Sequence, residues 1–388
     1  MAEILTSLAL ILVVTFAFSE LFFFIRYPRV IGQILAGMLL GLPFFALFIR
    51  GVQPDIAFLS DLGIVFLLLL TGMQLNLPKF RQAERDSIVI AIFCVLMPAV
   101  LGFLLMTFMG YSVLVGLVVG AAIALTAEGT KLKVLLELRA LNTKVGTIML
   151  GAGIIDDIFE ILFLSLLLFF VSGDLSGLFF FPVKILVFAL LAYLTYRLFP
   201  LGLHLVQKER NRISTFSFIL VFGLLIAVLS SRFGIGPIIG AFVAGIIINM
   251  AENHRAEHHE LVKELEVMTF SLIIPFFFIN IGLHFDFFGL LRNWPMTLLV
   301  LGVAIAGKVG GAIAATPFTD LTIKQTHLIG WGMNSRGSVE LVLAELARSY
   351  GLLTPEVYSA IVAMSIITTL MFPFVLRTLI HQDRKILQ

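Results

Sequence analysis

The 388-residue chain is too apolar and too sparsely charged for a water-soluble domain. Apolar residues make up 60% of it and charged residues 13%, with a formal net charge of +2. Soluble domains carry about 25% charged residues. The small net charge does not indicate a nucleic-acid partner, and the single cysteine, Cys94, excludes an intrachain disulfide. The composition indicates an integral membrane protein.

Apolar runs follow one another along the whole chain. They lie near 4–26, 30–49, 57–75, 87–109, 113–137, 145–171, 178–200, 214–231, 235–251, 265–285, 293–316, 323–347 and 355–379. A helix needs about 20 residues to cross a bilayer, and the strands of a membrane barrel give shorter, alternating segments. We therefore predict an all-α membrane protein of about thirteen transmembrane helices. The first run has no cleavage site and is expected to remain as a span.

Basic residues are concentrated in alternate loops. The odd-numbered loops hold most of them, for example Lys79, Arg81 and Arg85 in the third loop. Cytoplasmic loops carry an excess of Lys and Arg. The pattern predicts that the N-terminus lies outside and the C-terminus in the cytoplasm.

Three pairs of segments recur at nearly constant spacing. The pairs are 31–37 with 239–245, 66–75 with 276–285, and 128–138 with 336–346. The offset is 208 residues for the first and third pairs and 210 for the second. Seven spans separate the copies, so the second copy crosses the membrane in the opposite direction, as in secondary transporters. The predicted organisation is a first inverted repeat at 1–171, a linker helix at 172–213 and a second repeat at 214–388.

Span 6 carries three acids, Asp156, Asp157 and Glu160. The adjacent pair lies about 16 Å along the span, close to the bilayer centre, and its side chains point about 100° apart. An ionisable group at this depth costs about 2.5–3.5 kcal/mol, so each is expected to have a partner or a function. One acid can face an ion while its neighbour forms an ion pair. The alternative is that both acids only anchor helices.

Lys308 lies in span 11 among small residues, Gly307, Gly310 and Gly311, which permit close helix packing. It is the expected partner of one span 6 aspartate. The alternative is that it extends to the membrane surface, about 12 Å away.

Spans 5 and 12 have polar centres, at 126–131 and 334–340. Glycine and small polar residues at this depth predict broken helices whose freed backbone groups line a cavity. Glu128 and Arg336 occupy equivalent repeat positions with opposite charge. Either they neutralise each other, or each caps the end of a half-helix.

These features together resemble the monovalent cation:proton antiporter superfamily, in the branch of bacterial sodium/proton antiporters, Kef-type potassium systems and plant cation/proton exchangers. The matching elements are Val30 to Gly41, Phe66 to Gly72, Gly151 to Asp157, Ile235 to Gly245, Lys308, and Gly332 to Gly337. The resemblance spans nearly the whole chain.

The resemblance implies a homodimer in the inner (plasma) membrane of a prokaryote that exchanges Na⁺ or K⁺ for protons without a cofactor. Spans 4–6 and 11–13 would form a mobile ion-binding core domain, and the remainder a dimerisation domain. Asp157 would bind the cation and carry the proton, Asp156 would pair with Lys308, and Thr126 would supply an oxygen. No nucleotide-binding domain follows span 13, so nucleotide gating is not expected.

The chain departs from the family pattern at several charged positions. Glu128 and Lys131 lie where the broken helices of spans 5 and 12 are expected to cross, a region that is usually uncharged in the family. In span 12, Ser338 and Glu340 occupy the positions where many bacterial sodium exchangers carry Glu and Gly. These charges, with Glu160, are expected to take part in ion pairs and coupling. They leave a cation channel or a transport-inactive sensor of the same fold as alternatives.

Two further alternatives concern other chemistry. Paired acids also serve intramembrane enzymes, but the sequence has no nucleophile motif to accompany them. His254 and His258 have the spacing of metal ligands or of a pH sensor. The other interpretation of the segment from Glu252 to Glu260 is a solvated charged loop.

Overall fold

The protein is described here by a computed structural model that covers residues 2–25, 27–42, 44–45, 49, 51–74, 85–127, 131–132, 134–135, 138, 140–141, 143–171, 177–207, 212–233, 236–252, 256–337 and 339–387. Within these ranges the regular structure is helical. The α-helices are α1 (Ala2–Phe24), α2 (Arg29–Leu40), α3 (Gln53–Gln74), α4 (Arg85–Phe108), α5 (Val113–Ala124), α6 (Lys144–Val171), α7 (Gly177–Gln207), α8 (Arg212–Arg232), α9 (Pro237–Glu252), α10 (Ala256–Met268), α11 (Ile274–Leu283), α12 (Phe287–Arg292), α13 (Trp294–Ala314), α14 (Ile323–Gly332), α15 (Val339–Ser349) and α16 (Pro355–Gln382).

Seven helical segments in the described part of the chain are long and apolar enough to cross a membrane. They are Thr6–Phe24, Gln53–Gln74, Arg85–Phe108, Ile213–Arg232, Glu260–Leu283, Trp294–Phe318 and Pro355–Gln382. Each can satisfy its backbone hydrogen bonds within the helix, which the bilayer core requires. The prediction of an all-α integral membrane protein is confirmed.

The chain divides into two compact units. Unit 1 comprises Met1–Leu8, Phe48–Leu75 and Leu164–Asn280, and unit 2 comprises Ala9–Leu47, Asn76–Phe163 and Ile281–Gln388. The core of unit 1 is built from α3, α7, α8, α9 and α10. The core of unit 2 includes side chains of α4, α6, α13, α14 and α16. All residues of the candidate site described below belong to unit 2.

The segment before span 10 is more helical than the apolar pattern predicted. We predicted a span at 265–285 after a charged loop, but α10 already begins at Ala256 and leads through a π-helical turn at Thr269–Ile273 into α11. The residues of α10 include Glu, Lys and Leu, which favour helix whatever their polarity. Hydropathy detects only the apolar part of such a helix. His254 lies outside the described residues, as do the side chains of His258 and His259.

The predicted breaks in spans 5 and 12 are confirmed. α5 ends at Ala124, and Leu125 is extended with φ −75° and ψ 157°. α14 ends at Gly332, and the next helix starts only at Val339. The chain therefore exposes backbone groups inside the protein at both places, and these groups need partners.

Candidate functional site

The extended segments at the two helix breaks in unit 2 satisfy some of each other's free backbone N–H and C=O groups. The Ala127 N–H donates to the Ser335 carbonyl oxygen at 2.9 Å. The Ser335 hydroxyl donates in return to the Ala127 carbonyl oxygen, also at 2.9 Å. This reciprocal pairing holds the two extended segments side by side and anchors both in a fixed arrangement.

Arg336 caps the C-terminal end of α5. Its guanidinium donates to the carbonyl oxygens of Ile123, at 2.6 Å, and Leu125, and its side chain is buried. A cation at a helix C-terminus is stabilised by the partial negative charge of the free carbonyls. These contacts match the capping alternative for Arg336. Glu128, its predicted partner in the other alternative, lies outside the described residues.

Glycines next to Lys308 allow α13 to pack closely against α4. A Cβ on Gly307 would come within 2.6 Å of the Pro98 Cα, and one on Gly311 within 2.5 Å of the Phe93 carbonyl oxygen. This close packing surrounds Lys308, whose side chain is 0% exposed. The lysine therefore does not extend to the membrane surface.

Lys308 lies between an acid and a hydroxyl. Its Nζ donates to Thr126 Oγ1 at 2.6 Å and lies 3.6 Å from Asp156 Oδ1. Thr126 Oγ1 in turn donates to the Met333 carbonyl oxygen at 3.1 Å. Lys308 thus links α6 to both breaks in the same unit. The structure brings together three of the predicted site residues, Asp156, Lys308 and Thr126.

The two adjacent aspartates have different environments. Asp156 is 1% exposed, whereas Asp157 is only half-buried. Their different directions on α6 explain this, since successive helical residues point about 100° apart. One carboxylate is enclosed beside a lysine, whereas the other is partly exposed.

Three of the additional charged residues named from the sequence, Lys131, Glu160 and Glu340, are also buried. Lys131 Nζ donates to the Met149 carbonyl oxygen at 2.8 Å and contacts Met333 Sδ at 3.6 Å. Glu160 is buried one turn beyond Asp156 on α6. Glu340, in the first turn of α15, accepts from the Gly337 N–H at 2.6 Å. It therefore helps to cap α15, where the helix dipole favours an anion.

Several polar residues in this unit were missed by the sequence analysis. Ser365 donates to Glu340 Oε1 at 2.8 Å, and Thr369 donates to the Arg336 carbonyl oxygen at 3.1 Å. Both lie on α16, four residues apart and hence on one helix face. Hydroxyl residues four positions apart in an apolar span are the sequence pattern that could have identified these two residues.

A second missed cluster lies at the far end of α15. Glu345 accepts two hydrogen bonds from Arg348, at 2.6 and 3.0 Å, and one from the Tyr358 hydroxyl at 2.8 Å. Two donors from one guanidinium indicate a structural ion pair.

In the described part of the chain, no group of three or more His, Cys, Asp or Glu is arranged to hold a metal ion.

A double-mutant cycle separates the two alternatives for Glu128 and Arg336. If they form a pair, neutralising either one with Gln lowers the unfolding temperature more than neutralising both, because each single change leaves a buried charge uncompensated. The measurement is thermal unfolding in detergent. Additive losses would contradict the pair and leave Arg336 with the capping role alone.

Comparison with known proteins adds a family match over most of the chain. The model of the family described as sodium/hydrogen exchanger, transmembrane, matches residues 8–382. A Na(+)/H(+) antiporter of Enterococcus hirae is 28% identical over 381 residues, which cover 97% of each chain. The Na(+)/H(+)-K(+) antiporter GerN of Bacillus cereus is 28% identical over 376 residues, covering 97% of this chain and 96% of GerN.

A solved structure shares the fold. It is that of the sodium proton antiporter MjNhaP1 from Methanocaldococcus jannaschii at pH 8, with a TM-score of 0.70 at 17% identity. The match covers 98% of this chain and 97% of that one.

Proposed function

The chain belongs to the sodium/hydrogen exchanger family, as its motifs indicated, and on this premise we propose that it is a secondary active antiporter that exchanges Na⁺ or K⁺ for protons. The observation that carries the proposal is the position of Lys308, 3.6 Å from Asp156 and 2.6 Å from Thr126, at two broken helices. The two relatives described above are both named as cation/proton antiporters. A buried lysine, a carboxylate and backbone carbonyls freed from a helix are the groups that transporters use for ion sites.

Asp157 is the proposed carrier of both ions. It is half-buried, and a single carboxylate that binds either a proton or a monovalent cation couples the two fluxes by competition. Asp156 and Lys308 form the supporting ion pair. Because Lys308 donates a hydrogen bond to the Thr126 hydroxyl oxygen, a cation that binds this oxygen has to displace the lysine. The core domain would then alternate access between the two sides.

Equivalent glycine contacts support the proposed inverted repeat. A Cβ on Gly282 would overlap the Ile34 carbonyl oxygen in unit 2, and a Cβ on Gly72 would overlap the Phe242 carbonyl oxygen in unit 1. Ile34 and Phe242 are 208 residues apart, and the two glycines 210. Each contact therefore joins a helix of one proposed repeat to a helix of the other, and the glycine and its partner occupy nearly equivalent positions in the two contacts.

The contact between the two helix breaks also joins equivalent positions of the two proposed repeats. Ala127 and Ser335, which exchange hydrogen bonds, are themselves 208 residues apart. Equivalent residues contact each other where a pseudo-twofold axis passes between two copies. We propose the arrangement predicted from sequence, with thirteen spans, an outside N-terminus and a cytoplasmic C-terminus, as a homodimer in a prokaryotic inner membrane.

Exchange is expected to be electrogenic. If Lys308 releases its proton when Asp157 binds the cation, more protons than cations move in each cycle, and the exchange carries current. An imposed potassium-valinomycin potential in sealed liposomes, with Na⁺ as substrate, should then change the rate and the end-point. A rate and end-point indifferent to the potential would show electroneutral exchange and leave the role of Asp157 intact.

Antiport itself is tested in liposomes that contain a pH-sensitive dye. Addition of Na⁺, K⁺ or Li⁺ to one side should alkalinise or acidify the lumen according to the imposed gradient. Cation flux without proton movement would indicate a channel, and no flux of either ion would indicate a sensor. Either outcome would overturn the proposed exchange.

A further inference from the structure

Asn334 lies in the break between α14 and α15 and has no role in the exchange as proposed above. Its side chain is 1% exposed, and its Nδ2 donates to the Gly330 carbonyl oxygen at 2.9 Å. Because a carbonyl oxygen only accepts, the amide nitrogen has to face Gly330, which fixes the orientation of the amide. The other end of the amide, Oδ1, is buried and has no hydrogen-bond donor among the described residues. A buried acceptor without a donor is unfavourable, so we expect this oxygen to bind a partner.

The neighbours of Asn334 belong to the candidate ion site. The preceding residue, Met333, accepts the hydrogen bond of Thr126, and the following residue, Ser335, pairs with Ala127. Asn334 also stands 208 residues after Thr126, so the two occupy equivalent positions in the two copies. Both positions carry a side-chain oxygen at the crossing.

We propose that Asn334 Oδ1 is a further ligand of the transported cation and contributes to the choice among Na⁺, K⁺ and Li⁺. Oxygen atoms are the ligands of hard cations. A neutral amide oxygen exerts a weaker field than a carboxylate, and the number and field strength of such oxygens influence selectivity among alkali ions. This inference rests on the proposed antiport and adds a neutral oxygen to the charged groups of that site.

The test compares Asn334→Thr with Asn334→Val. These side chains have nearly the same shape and differ in one hydroxyl, so a packing defect common to both cancels. The KM of each alkali cation is measured by dye-reported exchange in liposomes. We expect the Val variant to have a KM about tenfold higher than the Thr variant, the loss expected for one contact to a charged group. The ratio of the KM values for Na⁺ and K⁺ should also differ between them.

Asn280 provides the matched control. It is 3% exposed and its Nδ2 donates to Ser60 at 3.3 Å, but it lies in unit 1. Asn280→Ala should leave the KM ratio unchanged. Equal KM values for the Thr and Val variants, for all three cations, would overturn the inference.

A second measurement separates this inference from the proposed function. If the unmodified protein exchanges no cation, the antiport proposal fails. Thermal stabilisation of the Thr and Val variants by Na⁺, K⁺ and Li⁺ then still tests binding, because a ligand that binds only the folded state raises the unfolding temperature. Stabilisation of the Thr variant at lower cation concentration supports Asn334 as a ligand. Identical responses of the two variants contradict it.

Discussion

Asp157→Asn is expected to abolish proton-coupled cation exchange while the protein stays folded. Asparagine keeps the shape of the side chain but loses the charge and the titrating proton, and both are needed to bind a cation and a proton in turn. Asp157 is half-buried on α6, and we expect an isosteric side chain to be accommodated there without loss of the fold. The measurement is dye-reported exchange in liposomes with Na⁺, K⁺ and Li⁺ in turn.

A control variant separates loss of exchange from loss of fold. Asp55→Asn changes an exposed acid in the first turn of α3 and should leave exchange unchanged. Size-exclusion chromatography in detergent checks that both variants have the same assembly as the unmodified protein. Retained proton-coupled flux in Asp157→Asn would remove this residue from the proposed carrier role.

Lys308→Met is expected to destabilise the protein by about 3–5 kcal/mol, because removing one partner of a buried ion pair leaves the other charge uncompensated. Asp156 is 1% exposed and Lys308 0% exposed, so solvent cannot replace the lost partner. The Thr126 hydroxyl also loses the donor that lies at 2.6 Å. The measurement is the free energy of unfolding in detergent, from the thermal midpoint.

The double variant Lys308→Met with Asp156→Asn should recover much of this loss. It removes both charges, so neither is left buried alone, and the two substitutions become non-additive. A coupling energy near zero would contradict a direct interaction between the two side chains. Lys324 and Asp383 supply a control cycle, since they form an exposed pair at 3.2 Å and exposed pairs contribute about 0–1 kcal/mol.

The amino-acid sequence by itself determined the membrane class, the helical fold and the residues that carry charge into the bilayer. Composition and long apolar runs suffice for the first two, because a bilayer accepts few other backbone arrangements. The cost of burying charge makes Asp156, Asp157 and Lys308 conspicuous in any apolar span. The breaks in spans 5 and 12 also followed from local composition. By contrast, hydropathy placed the start of span 10 too late, because it does not register the polar turns of α10.

Only the tertiary structure decided which groups meet. The hydrogen bond from Lys308 to Thr126 joins residues 182 positions apart. The glycines around Lys308 predicted close helix packing, but they did not identify α4 as the helix that α13 packs against. Arg336 binds the carbonyl oxygens of α5 because the broken ends of two distant helices lie side by side. The unsatisfied oxygen of Asn334 is likewise a property of its surroundings. Sequence specifies which side chains are costly to bury, whereas packing specifies the partners that offset the cost.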